Sequence, residues 1–140
     1  MADKLKHANQ FIRALPHSRA LGMELQSLGN GVAVIAMPYA EKLIGDPDTG
    51  VVHGGAVSAL MDTACGAAVM SHPSNPGSTA TIDLRIEYLR GAVPGQTITT
   101  EATCYHMTRH VAFVRATATD DNSETPVAMA TGTFSVEGRR

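Results

Sequence analysis

Val51-Val52-His53-Gly54-Gly55-Ala56-Val57-Ser58-Ala59-Leu60-Met61-Asp62-Thr63-Ala64-Cys65-Gly66-Ala67-Ala68-Val69-Met70 decides how this chain folds. From Gly54 onward the stretch reads as one long helix, apolar or small on almost every side. Asp62 is its only charge. A helix that is hydrophobic all round is normally buried, and a buried carboxylate is expensive unless it is paired or used. The extended run Val51-Val52-His53 feeds a glycine-rich helix start. Free amides at a helix start stabilise an oxyanion. A buried acid beside them supplies a base. The alternative is a structural acid held by an arginine or by backbone donors; the His-Gly-Gly start favours the functional acid.

The rest of the chain bounds this reading. Its 140 residues suffice for one domain with a core, spanning 1–140, and not for two. Hydrophobic residues make up 44% and charged residues 17%, with only 4% aromatic and no Trp. Alanine, threonine and valine must therefore fill the interior. The net charge of −2 and the scattered Lys and Arg argue against a nucleic-acid partner. No charge-free apolar run is long enough to cross a membrane. The N-terminus lacks the apolar centre of a signal peptide. Cys65 and Cys104 form no CxxC pattern, so a reducing cytoplasm is the expected setting.

Around the central helix the pattern is mostly strand. Leu5, Ala8, Phe11, Ile12 and Leu15 recur at helical spacing until Pro16, which stops that helix. Leu21, Met23 and Leu25 alternate as a strand. Gly29-Asn30-Gly31 turns the chain, and Val32 to Met37 returns. Glu41 to Gly50 is a loop, and His72 to Gly77 breaks the central helix. Ile82, Leu84, Ile86 and Tyr88 then alternate with Asp83, Arg85 and Glu87, which predicts a strand with the apolar set on one face. Ile98 to Cys104, Val111 to Thr119 and Pro126 to Val136 are three further strands, followed by a tail at 138–140. Four consecutive strands with short connections imply an antiparallel sheet. One long helix among them implies an α+β fold with the sheet wrapped around that helix.

This order of elements resembles the hotdog fold. More narrowly it resembles the PaaI-like acyl-CoA thioesterases of the 4-hydroxybenzoyl-CoA thioesterase superfamily. The resemblance rests on His53-Gly54-Gly55 opening the helix, on Asp62 nine positions after His53, and on the strand Thr81 to Arg90 followed by Gly91-Ala92. It implies hydrolysis of acyl-CoA without metal or other cofactor. Asp62 would act as general base or nucleophile. The amide of Gly54 or Gly55 would polarise the thioester carbonyl, and His53 would hold the loop or the carbonyl. Thr81 falls where some relatives position water with a hydroxyl. Many relatives carry Asn six residues before the His; here Pro47 stands there, with Asp46 and Asp48 on either side as possible substitutes.

Spacing adds one inference. Gly55 and Asp62 lie two helical turns apart, roughly 10 Å along the axis. One water cannot touch Asp62 and also attack a carbonyl held at Gly55 of the same chain. The site is therefore expected to straddle a symmetric homodimer, alone or within a homotetramer. Small residues at Gly55, Ser58, Ala59, Cys65 and Gly66 leave room for a thin acyl-pantetheine chain or for a neighbouring helix.

Other residues rank lower. Cys65 reads as a small buried hydrophobe rather than a nucleophile. His106 and His110 lack the acidic or Cys partners of a metal site. Arg90, Arg109 and His110 are candidates for the CoA phosphates, with solvated surface charge as the alternative. His7, His17 and His72 read as surface residues. The rival functions are a non-catalytic acyl-CoA-binding hotdog, a hotdog dehydratase using His53 with the helix acid, and a structural dimer module.

Overall fold

Asn30 and Gly31 adopt φ of 53° and 80°. Two successive positive φ values are what a tight hairpin with right-handed strand twist requires. They join β1 (Glu24–Gly29) to β2 (Val32–Met37), with Gly29 facing Val32. The computed structural model describes residues 2–139; Met1 and Arg140, at the ends of the two terminal stretches, lie outside it.

The N-terminal region departs from the sequence reading in two places. Helix α1 (Ala2–Ala14) ends before Pro16 as expected, but Pro16 then opens a second short helix, α2 (Pro16–Ala20). Leu15 is extended at ψ 119°, as a residue before proline prefers, and Pro16 occupies the first turn, where its missing N–H is harmless. The expected strand from Leu21 starts only at Glu24, because Gly22 turns the chain at φ 73°.

Helix α3 runs from Gly54 to Met70, and four long strands follow: β3 (Pro76–Tyr88), β4 (Ile98–Met107), β5 (Val111–Thr119) and β6 (Ala128–Arg139). All pairings are antiparallel, in the order β1-β2-β4-β5-β6-β3. Strand β3 does not pair with its successor β4. It lies at the far edge beside β6, and β4 returns to the middle next to β2. The α+β reading, a sheet curled around one long helix, is thus the observed architecture.

Alanine is the commonest residue of the interior. Ala33, Ala64, Ala68, Ala102, Ala112, Ala118 and Ala128 are all fully buried. Larger side chains, among them Met23, Ile35, Met37, Leu60 and Met61, fill what remains. The small layer lets α3 approach the sheet closely.

Two expectations are corrected here. Helix α3 is not buried all round. Ala56, Val57, Leu60, Met61, Ala64, Cys65, Ala68 and Val69 face the sheet, whereas Ser58, Ala59, Asp62, Thr63, Gly66 and Ala67 are only half-buried and Gly55 is exposed. The sheet covers one side of the helix and leaves the small-residue side open. The second correction is Ile82, expected on the core face with Leu84, Ile86 and Tyr88. It is 59% exposed. Thr81 faces Phe134 and Asp83 faces Thr133, so Ile82 is the extra residue of a β-bulge.

Arg90, just beyond β3, forms a paired contact with Asp120, both guanidinium nitrogens donating at 2.7 Å. Arg90 also donates to the carbonyl of Thr125, and Asp120 accepts from the amides of Val93 and Asn122. The Asp120 side chain is wholly buried. The Arg90 hydrogen bonds hold its carboxyl well below the usual aspartate range. Because its folded value is depressed, the pair contributes its full stability above the ordinary aspartate value of 3.8. That contribution is lost as pH falls below it. Asp120→Ala is expected to destabilise the fold by about 3 kcal/mol at neutral pH. The difference from wild type should shrink in acid. Denaturant melts at neutral and strongly acidic pH check both; a constant difference removes the ion pair from the account.

Candidate active site

His53 precedes α3 as its N-cap, with φ −58° and ψ 133°. Its Nδ1 accepts a hydrogen bond from the amide of Gly55 at 2.7 Å. Because Nδ1 accepts from a backbone N–H, the ring proton of the neutral imidazole resides on Nε2. His53 is fixed from behind as well: its own amide donates to the Leu43 carbonyl at 2.7 Å. A Cβ at Gly45 would stand 2.7 Å from the His53 Cα. Glycine at 45 is therefore required for the loop to pass.

The two glycines at the helix start differ. The Gly55 amide is taken by His53, and a Cβ there would meet the His53 Nδ1 at 2.9 Å. Packing explains Gly55. A Cβ at Gly54 would meet only Tyr88, at an ordinary 3.5 Å. Packing does not explain Gly54, whose exposed amide has no hydrogen-bond acceptor among the described residues. The first N–H groups of a helix lack intrahelical acceptors and carry its positive end.

Two turns along, the Asp62 Oδ1 accepts from the hydroxyl of Thr81 at 2.7 Å. The other carboxylate oxygen has no hydrogen-bond partner among the described residues. Asp62 lies half-buried on the open side of α3. Its neighbour Cys65 is wholly buried, and burial, aided by the Asp62 charge, pushes its thiol up to about 12. A thiol so held is not a nucleophile at neutral pH.

Tyr88 is a site residue that sequence reasoning passed over. Its hydroxyl donates to the Gly54 carbonyl at 3.0 Å. It ends the inward-facing row of β3, yet 52% of it is exposed, an unusual cost for an aromatic unless something packs there. Tyr88, Gly54, Val52, Val57, Leu89 and Ala92 line a groove of about 230 Å³ beside the helix start.

The remaining candidates lie apart. Arg90 touches that groove, but its guanidinium is committed to Asp120 and the Thr125 carbonyl. Arg109 and His110 line a cavity of about 830 Å³ with His72, Ser74 and Glu137, beyond the C-terminal end of α3. That is roughly 25 Å along the helix from Gly54. Asp46 accepts from the Thr49 hydroxyl and the Asp48 amide, which shapes its own loop, and Asp48 is exposed. Among the described residues no helix is long and apolar enough to cross a membrane, and no group of three His, Cys, Asp or Glu is placed to hold a metal.

The chain is similar to several known proteins. YigI, a medium/long-chain acyl-CoA thioesterase of Escherichia coli strain K12, is 27% identical over 139 residues, covering 90% of this chain and 88% of its own. A Halobacterium salinarum protein named as an esterase is 43% identical over 75 residues, and the match spans about half the length of each (51% and 50%). A Pseudomonas aeruginosa protein of known crystal structure superimposes with a TM-score of 0.81 at 36% identity, covering 94% of this chain and 97% of that one. The family model of the thioesterase superfamily matches residues 49–127, from the loop before His53 to the residue preceding β6. By its sequence, and by a sheet wrapped around one long helix, the chain belongs to the thioesterase superfamily in its hotdog form.

Proposed function

We propose that the chain hydrolyses acyl-CoA to a carboxylic acid and CoA at two equivalent sites shared by the protomers of a dimer. The observation that carries this is the pairing of a free helix-start amide at Gly54 with a half-buried Asp62 already oriented by Thr81. In the reaction the thioester oxygen lies on the Gly54 amide and the Nε2–H of His53. Water adds to the carbonyl carbon while Asp62 takes its proton. The oxyanion of the tetrahedral intermediate is stabilised by the helix start. The intermediate expels the CoA sulfur, which leaves with a proton returned through Asp62.

Two facts within one chain support the dimer. Tyr88 lies at Gly54 and Thr81 lies at Asp62, so β3 runs antiparallel to α3. A two-fold axis that brings Asp62 to the partner's Gly54 therefore also brings Thr81 to the partner's Tyr88. Strand β3 is a sheet edge with exposed Ile82, and the side of α3 beside it is open and made of small residues. A long exposed edge strand invites pairing with another chain.

The test uses mixed dimers. Asp62→Asn chains and Gly54→Pro chains, carrying different tags, are co-expressed and the mixed species purified. One site then holds both lesions and the other neither, so about half of the wild-type rate should return. Either variant alone should be nearly inactive. A mixed dimer as inactive as its parents would place the whole site within one chain.

A further inference from the structure

We infer that Gly132, through the β-bulge at Ile82, is a positioning residue that turns the Thr81 hydroxyl onto Asp62. The inference rests on the thioesterase reading of that site.

Directly opposed residues of antiparallel strands share a face. Phe134, Ala130 and Ala128 of β6 are buried beneath α3, and they oppose Thr81, Ile86 and Tyr88. Thr81 and the even-numbered Leu84, Ile86 and Tyr88 thus all face the helix. Strict alternation forbids that, since side chains of a strand switch sides at every residue. The extra residue at Ile82 resolves the conflict. Ile82 and Asp83 both turn outward and are exposed, and the inward row changes from even to odd numbers. Without the bulge, the row Leu84, Ile86 and Tyr88 would place Ile82 inside and Thr81 outside, away from Asp62.

The bulge needs room on the neighbouring strand. Gly132 opposes Leu84 on β3 and Val114 on β5. A Cβ at Gly132 would stand 2.3 Å from the Asp83 carbonyl oxygen and 3.1 Å from the Leu84 Cα. Both are backbone atoms, so no rotamer change relieves the overlap. Any side chain at 132 drives the bulge out of its present shape. Gly132 touches neither Asp62 nor the helix start; it acts only through the path of β3.

The test is a set of variants read by kcat and KM for acyl-CoA, with folding checked by thermal melts. Thr81→Val should lower kcat by about 10- to 100-fold with KM little changed, and Thr81→Ser should retain most of the rate. Gly132→Ala should fall to the Thr81→Val level, and the double variant should fall no further. Deleting Ile82 in the Gly132→Ala chain should restore the rate. With the extra residue gone, Thr81 faces inward by plain alternation and no bulge crowds position 132. A folded Gly132→Ala protein with wild-type kcat, or one whose loss adds in full to that of Thr81→Val, would overturn the inference. In case Gly132→Ala does not fold, deletion of Ile82 alone decides. Thr81→Val must then reduce kcat as much in that background as in wild type, and no reduction there refutes the parity argument. If the wild-type chain hydrolyses no acyl-CoA, the proposed reaction falls on its own. Crystal structures of the same variants, read at the Thr81 Oγ1 to Asp62 Oδ1 distance, then decide whether Gly132 positions Thr81.

Discussion

Asp62→Asn is expected to lower kcat for acyl-CoA hydrolysis by about 10³-fold while leaving the melting curve unchanged. Asparagine has the same shape and can still accept from the Thr81 hydroxyl, so the local geometry survives. What disappears is the oxygen that takes the proton of water. No neighbour replaces it, because the nearby Cys65 thiol is pushed up to about 12 and lies wholly buried. The side chain is only half-buried, so neutralising it leaves no severe packing defect. The measurement is thiol release, followed with a thiol-reactive dye, across short, medium, long and aryl acyl-CoAs. Loss of release in the variant would assign the base, and the wild-type panel would show the preferred acyl class. An unchanged rate would make Asp62 a structural acid.

Gly54→Pro should lower kcat by about 10²- to 10³-fold, equivalent to about 3–4 kcal/mol of barrier. Proline removes one backbone N–H and little else here. The first position of a helix is where proline is best tolerated. His53, at ψ 133°, already has the backbone conformation that a residue before proline prefers. A Cβ at position 54 meets Tyr88 at an ordinary 3.5 Å. Gly54→Ala is the control: it keeps the amide and fits the same space, so it should retain far more activity than the proline variant. Equal losses in the two would mean that crowding, not the missing donor, is responsible.

The residues legible from the sequence are those that lie on one local segment. Helix α3 was readable to its ends because a glycine pair opens it and a Pro-rich stretch follows it. His53, Gly54, Gly55 and Asp62 came with it. Thr81 was reached only through a family resemblance, since nothing in its neighbourhood announces a partner nineteen residues back. Ile82 misled for a physical reason. An apolar residue in step with Leu84, Ile86 and Tyr88 reads as core, and the bulge that removes it depends on a glycine of another strand. Arg90 misled in the same way. It looks like a free cation until Asp120, thirty positions later, folds back on it. Tyr88 was visible as a strand residue, but its bond to the Gly54 carbonyl exists only because β3 crosses the sheet to lie beside β6. The open side of α3 was also hidden, because composition alone does not distinguish a helix covered on every side by its own sheet from one that the sheet half covers.

The alanine interior limits how such a chain can diversify. Enzymes commonly acquire bulkier substrates by trimming a large core side chain and inheriting the vacated volume. Ala64, Ala68, Ala102, Ala112 and Ala128 have nothing left to trim, and enlarging them overpacks positions that are already fully buried. New specificities are therefore expected to arise more readily at the rim, where the exposed Tyr88 and Leu89 border the groove beside Gly54. A mutational library aimed at those rim positions should yield altered acyl preferences far more often than one of equal size aimed at the interior.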